Sequence, residues 1–245
     1  MNRLNRLAGW IRKTAAIAVS AVMIAALGPG QATAVFGAQV YPAAAPGSGT
    51  VLQQGVQVQE EAQELNGVWI SYLEWEKLPV EKAAFQTAVN EMLDNCVNWG
   101  MNAVFVHAHS HTDAMYPSDI LPWSKFVSRI QGKDPGYDPF GYFVQAVHER
   151  GLQIHAWFNP YRVTGYMMSM DDLADSSPVK QWLSDAATEN DRWVLYQGGQ
   201  YYLNPSIPQV QQLVVDSVKE VAQKYDVDGI HFDDYFYPSV DDNDP

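Results

Sequence analysis

Beyond residue 65 of this 245-residue chain, apolar runs of strand length alternate with amphipathic runs of helix length. That alternation predicts an α/β fold built from βαβ units on a parallel sheet. Two further observations support it. Gly100 and Gly151 each close a helical run just before the next apolar run, as helix-terminating glycines do. The segments that follow the apolar runs are long and rich in Trp, Tyr, His and Asp, whereas those that precede them are short and plain.

Taken in order, residues 1–34 read as an export signal. Arg3, Arg6, Arg12 and Lys13 precede an apolar run over 15–27, and Ala32, Thr33 and Ala34 supply small residues for cleavage. The run falls short of the roughly 20 residues that span a bilayer. No stable membrane span is expected after cleavage, and the expected location is secreted or in the cell envelope. Residues 35–64, rich in Ala, Pro, Gly, Gln and Val without a period, are predicted to be a flexible linker. The folded domain is predicted over 65–245. Strands are expected at 67–73, 103–107, 153–158 and 229–233, and helices at 80–99, 140–150 and 210–225. The glycine- and proline-bearing stretch 132–141 reads as turns, with Asp138 capping the next helix, and not as a phosphate loop.

The asymmetry of the loops matches a (β/α)8 barrel of TIM type, which keeps its chemistry at the C-terminal strand ends. A complete barrel takes about 250 residues, so only the first four or so β/α units are expected in this chain. Such a half barrel would expose two sheet edges and an apolar inner layer, and self-association is expected of it.

The formal charge is −13, and without the four basic residues of the signal segment it becomes −17. Phosphate backbones are bound by clustered Lys and Arg, which this chain lacks after residue 35, so no nucleic acid partner is expected. Cys96 is the only cysteine, which rules out an intramolecular disulfide. Its position in a helical run reads as a small buried hydrophobe.

The densest chemistry lies at 228–235, DGIHFDDY. Strand side chains alternate, so His231, Asp233 and Tyr235 are expected on one face and Phe232 and Asp234 on the other. Asp233 is therefore the better catalytic candidate. Glycosidases use two carboxylates across the scissile bond, and Asp233 and Asp234 point apart. Asp234 is expected to hold a loop or an arginine such as Arg162, and the second acid is sought on another loop, at Glu74, Asp113 or elsewhere.

Several motifs in order resemble those of the glycosyl hydrolase-like 10 family of bacterial secreted or envelope proteins: GVWISYLEW, DAMYPSDILPWS, GKDPGYDPF, HAWFNPYRV, YYLNPSIPQV and DGIHFDDYFYP. The resemblance covers about residues 65–238. It implies a (β/α)8 catalytic barrel that hydrolyses glycosidic bonds, in some members of bacterial cell-wall glycan, without a cofactor. Carried over by position, it implies catalytic Asp233 and Asp234. It also implies substrate contacts at Trp157, Asn159, Tyr161, Arg162, Asn204 and Tyr235. Where family members commonly carry an Arg at the end of the second strand, this chain has His109, within VHAHSHTDA.

His107 and His109 are expected to line the sugar cleft. With His111 and Asp113 nearby, the same histidines offer an alternative: a metal-dependent hydrolase with zinc held by imidazoles. Trp157, Tyr161 and Tyr235 suit stacking on sugar faces, which leaves a non-catalytic carbohydrate-binding protein as a third reading. Arg162 suits a bidentate contact with a carboxylate, either of Asp234 or of a muramic-type sugar.

Overall fold

The computed structural model describes residues 64–165 and 168–233. The expected signal segment and linker, together with Asp234 and Tyr235, lie outside the described residues.

The first apolar run, expected as one strand over 67–73, divides into a strand and a helix. Strand β1 (Gly67–Ile70) stops at Ser71, which caps helix α1 (Tyr72–Lys77). The Ser71 hydroxyl accepts from Leu73 N at 3.2 Å, and Glu74 reaches back to accept from Ser71 N at 3.0 Å. This reciprocal S-x-x-E box satisfies donors that a strand would have used in the ladder. Helix α2 (Lys82–Asn98) begins where the Glu81 carboxylate accepts from Ala83 N and Ala84 N. It buries Phe85, Val89, Leu93 and Cys96, a stripe with helical spacing. Burial raises the Cys96 thiol pKa, consistent with its expected role as packing.

Strand β2 (Ala103–His109) is buried along its whole length. After a short helix α3 (Lys125–Ser128) comes α4 (Pro139–His148), whose N-cap Asp138 accepts from Gly141 N at 2.9 Å, with proline in the first turn. Strand β3 (Gln153–Phe158) matches expectation. The long segment that follows contains α5 (Pro178–Ser184) and an antiparallel hairpin of β4 (Val194–Gln197) and β5 (Gln200–Leu203), neither of which was expected. Helix α6 (Pro208–Lys224) and strand β6 (Gly229–Phe232) complete the described chain.

The four parallel strands lie in the order β1-β2-β3-β6, each new strand adding to the same side. That progression without reversal is the barrel order, distinct from a doubly wound sheet, whose order turns back on itself. The chain is thus an α/β protein with part of a (β/α)8 barrel. On the outer face, Ile70, Val104, Val106, Ile154 and Ala156 pack against Phe85, Val89, Leu93, Phe140, Phe143 and Val147 of α2 and α4. Each fully buried aliphatic or aromatic side chain there contributes about 1.5–3 kcal/mol of burial free energy. A second cluster, with Val163, Leu173, Val179, Leu203 and Val210, supports the segment between β3 and α6.

The inner face, expected to be apolar, is built largely from aromatic and imidazole rings. Trp69 stacks on Phe105 at 4.7 Å, and Phe105 meets His155 and His231 at 4.8 and 4.9 Å. Two strand-opening glycines make room for these rings. A Cβ on Gly67 would come within 2.5 Å of Phe105, and one on Gly229 within 2.3 Å of the His155 ring.

Candidate active site

A register shift in β2 decides which histidines face inward. His107 is opposite Trp157 but His109 is opposite Phe158, so Ala108 is passed over. Residues two apart normally share a face; this bulge puts His107 and His109 on opposite ones.

His107 remains on the inner face, stacked on the Trp157 indole with ring centres 3.5 Å apart. Its Nδ1 accepts from Tyr72 N at 3.0 Å. Burial, then the fields of His111 and Arg162, hold its pKa well below the ordinary histidine value. The ring is therefore neutral with its proton on Nε2.

His109 turns toward α6. Its Nε2 lies 2.7 Å from the Tyr116 hydroxyl, which donates to Glu220 Oε2 at 3.0 Å. Since the Tyr116 proton is used by Glu220, His109 Nε2–H is the donor in that pair. Burial drops the His109 pKa to about 3. Glu220 also accepts from Ser118 Oγ at 2.6 Å, Asp119 N at 2.7 Å and Lys224 Nζ at 2.9 Å. His109 is thus part of a strand-to-helix support, which corrects its expected place in the sugar cleft.

His111 points elsewhere again. It is enclosed by Ser110, Tyr72 and Phe126, with its pKa lowered to about 3 by burial and by the charges of Arg162 and Lys125. His107, His109 and His111 have separate partners, so the zinc set offered as an alternative is not formed by them. Among the described residues no group of three or more His, Cys, Asp or Glu is placed to hold a metal ion.

Two candidates for the second acid are also committed elsewhere. Glu74 belongs to the capping box of α1. Asp113 is fully buried, accepting from His111 N at 3.0 Å and Ser110 Oγ at 3.2 Å, and burial raises its pKa.

The loop after β3 is shaped by its own side chains. Buried Asn159 accepts from Arg162 N at 3.1 Å, and Thr112 Oγ1 donates to Arg162 O at 2.9 Å. Tyr161 O accepts from Leu203 N at 2.7 Å, Tyr201 O accepts from Val163 N at 3.0 Å, and Arg162 bridges Tyr202. The unexpected hairpin therefore acts as a brace for the loop that presents Arg162. Asn204 is expected at the sugar but is occupied locally: its amide donates to Arg192 O at 3.1 Å and its carbonyl accepts from Ser206 Oγ at 2.8 Å. Asn159 and Asn204 thus build turns.

What converges at the C-terminal end of the inner face is His107, Trp157, His231 and the neighbourhood of Arg162. His231 accepts from Trp69 Nε1 at 3.1 Å and meets Trp157 edge-on at 5.9 Å. Burial lowers its pKa, and the negative charge of Asp233 opposes that shift, so Asp233 lies within electrostatic reach of this group. Trp69, Tyr72 and His231 were missed as site residues. Alternation along β6 puts His231 on the face of Asp233, and the same period along β1 is the signal that would have found Trp69.

The model of the glycosyl hydrolase-like 10 family matches residues 64–243. This chain belongs to that family. Among curated glycosyl hydrolase-like relatives, the glycosyl hydrolase YngK of Bacillus subtilis is 38% identical over 179 residues, covering 71% of this chain and 34% of YngK. The glycosyl hydrolase DigH of Escherichia coli K12 is 35% identical over 190 residues, covering 73% of this chain and 43% of DigH. The chain spans between a third and a half of these relatives. Among solved structures, alpha-L-fucosidase isoenzyme 2 from Paenibacillus thiaminolyticus aligns with a TM-score of 0.44 at 19% identity, over 69% of this chain and 23% of that one.

Proposed function

We propose that this glycosyl hydrolase-like 10 protein is an exported glycosidase that hydrolyses O-glycosidic bonds of a polysaccharide, with bacterial cell-wall glycan as the leading substrate. Asp233 supplies one catalytic carboxylate. The observation that carries this reading is the placement of Asp233 directly after β6, beside His231, on a face lined by Trp157 and His107. Strand ends of this kind are where barrel enzymes keep their acids. Trp157 offers flat apolar surface to a sugar, and neutral His107 stacked on it offers a hydrogen-bond donor.

A second reading, glycan binding without turnover, is favoured by one observation: Glu74 and Asp113 are spent on a helix cap and a buried turn. Hydrolysis needs a second carboxylate roughly 5–10 Å from the first. Incubation of purified full-length protein with glycan strands separates the two readings. New reducing ends support the glycosidase, whereas retention of glycan without new reducing ends supports the binding protein. A protein that does neither overturns both.

A further inference from the structure

The inner face carries donors that lack acceptors. Arg162 Nε and Trp157 Nε1 are both buried and, among the described residues, neither meets a hydrogen-bond partner. None of the ion pairs among the described residues includes Arg162. His107 adds a third donor nearby, because its Nδ1 is used by Tyr72 N and its proton sits on Nε2. These groups share one neighbourhood. His107 and Trp157 are in stacking contact, and the Arg162 charge disfavours protonation of both His107 and His111.

Buried donors are normally paired, so a group left unpaired at a site requires a reason. The main chain of Arg162 is fixed from both sides, its N–H by Asn159 Oδ1 at 3.1 Å and its carbonyl by Thr112 Oγ1 at 2.9 Å. The guanidinium is thus presented from a braced loop, which lowers the ordering cost of a contact. A sugar hydroxyl brings one oxygen and no charge. A carboxylate brings two oxygens in the plane that the guanidinium fork matches, and its charge complements the arginine. The net charge of −13 repels anions at long range, so selection here must come from short-range contacts.

We propose that Arg162 and Trp157 Nε1, the two unpartnered buried donors of this neighbourhood, form a subsite for a carboxylate-bearing sugar unit of the glycan. This rests on the glycan reading above. The carboxylate comes either from a uronic acid or from an ether-linked carboxylate on a neutral ring.

The test is calorimetric binding of the 245-residue chain to two acidic oligosaccharides, one uronic and one carrying an ether-linked carboxylate. Each is compared with its own carboxyl-reduced counterpart at moderate salt. The subsite predicts that at least one acidic ligand binds about tenfold or more tightly than its reduced form, a difference of about 1.4 kcal/mol, and which ligand does so identifies the source. Arg162→Gln should bring that ratio close to one. Arg162→Lys keeps the stem and charge but not the fork, and should lower the ratio at least threefold; it is the deciding variant if the Gln protein fails to fold. Equal affinity for acidic and reduced forms, or a ratio that survives both substitutions, overturns the subsite while leaving the glycan reading standing. No binding of any of the four ligands overturns both.

Discussion

Replacing Glu220 tests how the C-terminal end of β2 is held. Its carboxylate is buried and accepts four hydrogen bonds, from Tyr116, Ser118, Asp119 N and Lys224. Hydrogen bonds to a charged group are each worth about 1.5–3 kcal/mol net, and they do not add fully. Removing one member of a buried charged set costs about 3–5 kcal/mol, because its partners lose their acceptor. Glu220→Ala should therefore destabilise by about 3–5 kcal/mol, a fall in Tm of about 10 °C for a domain of this size. Glu220→Gln should cost about 1–2 kcal/mol, since neutral contacts are roughly half as strong and the two hydroxyls can rotate. The sign of the pH effect follows from the carboxyl. Burial raises its pKa, but the donors from Ser118, Asp119, Lys224 and Tyr116 outweigh burial and hold it below the ordinary glutamate value of 4.5. A depressed folded-state pKa stabilises above the unfolded value and loses that contribution as pH falls through the folded one. The gap between wild type and Glu220→Ala should accordingly be full at neutral pH and shrink well below the ordinary glutamate pKa. Urea titrations at both pH values measure it. A gap under about 1 kcal/mol at neutral pH, or one that widens on acidification, refutes the reasoning. So does an NMR assignment of the His109 proton to Nδ1.

Three further outcomes are expected. Gly229→Val places a Cβ 2.3 Å from His155 Nδ1, so the edge of the sheet must shift; a loss of about 1–3 kcal/mol in denaturant titrations is expected. Ser71→Ala removes the cap of α1 and should cost about 0.5–2 kcal/mol, read from the same titrations. Phe143→Ala empties a fully buried site between α4 and the outer sheet face and should cost about 3–5 kcal/mol, measured by thermal unfolding.

The α2, α4 and α6 helices and the β3 and β6 strands were legible in the sequence, because their apolar periods are long and their caps conventional. The end of β1 is masked in the sequence because the apolar run continues through Leu73, although the Ser71 and Glu74 capping pair marks it. The β4–β5 hairpin has a weak sequence signature. Its strands have four residues each, too few for a period, yet the Gly198–Gly199 turn between them was the available signal. At the site, the family resemblance points to Trp157 and the histidine cluster to His107, and the two rings do stack on the inner face. His109 is expected there too but faces α6, because a bulge reverses alternation and depends on the neighbouring strand. Asn159 and Asn204 have the residue type of sugar contacts, but Asn also shapes turns, and only three-dimensional partners separate those uses.

Whether Asp233 is a catalytic carboxylate is decided by turnover of the Asp233→Asn protein. With an unfolding midpoint matched to wild type, release of reducing ends from glycan should fall by about 10²-fold or more while glycan binding persists. Wild-type turnover by the Asn variant would contradict it.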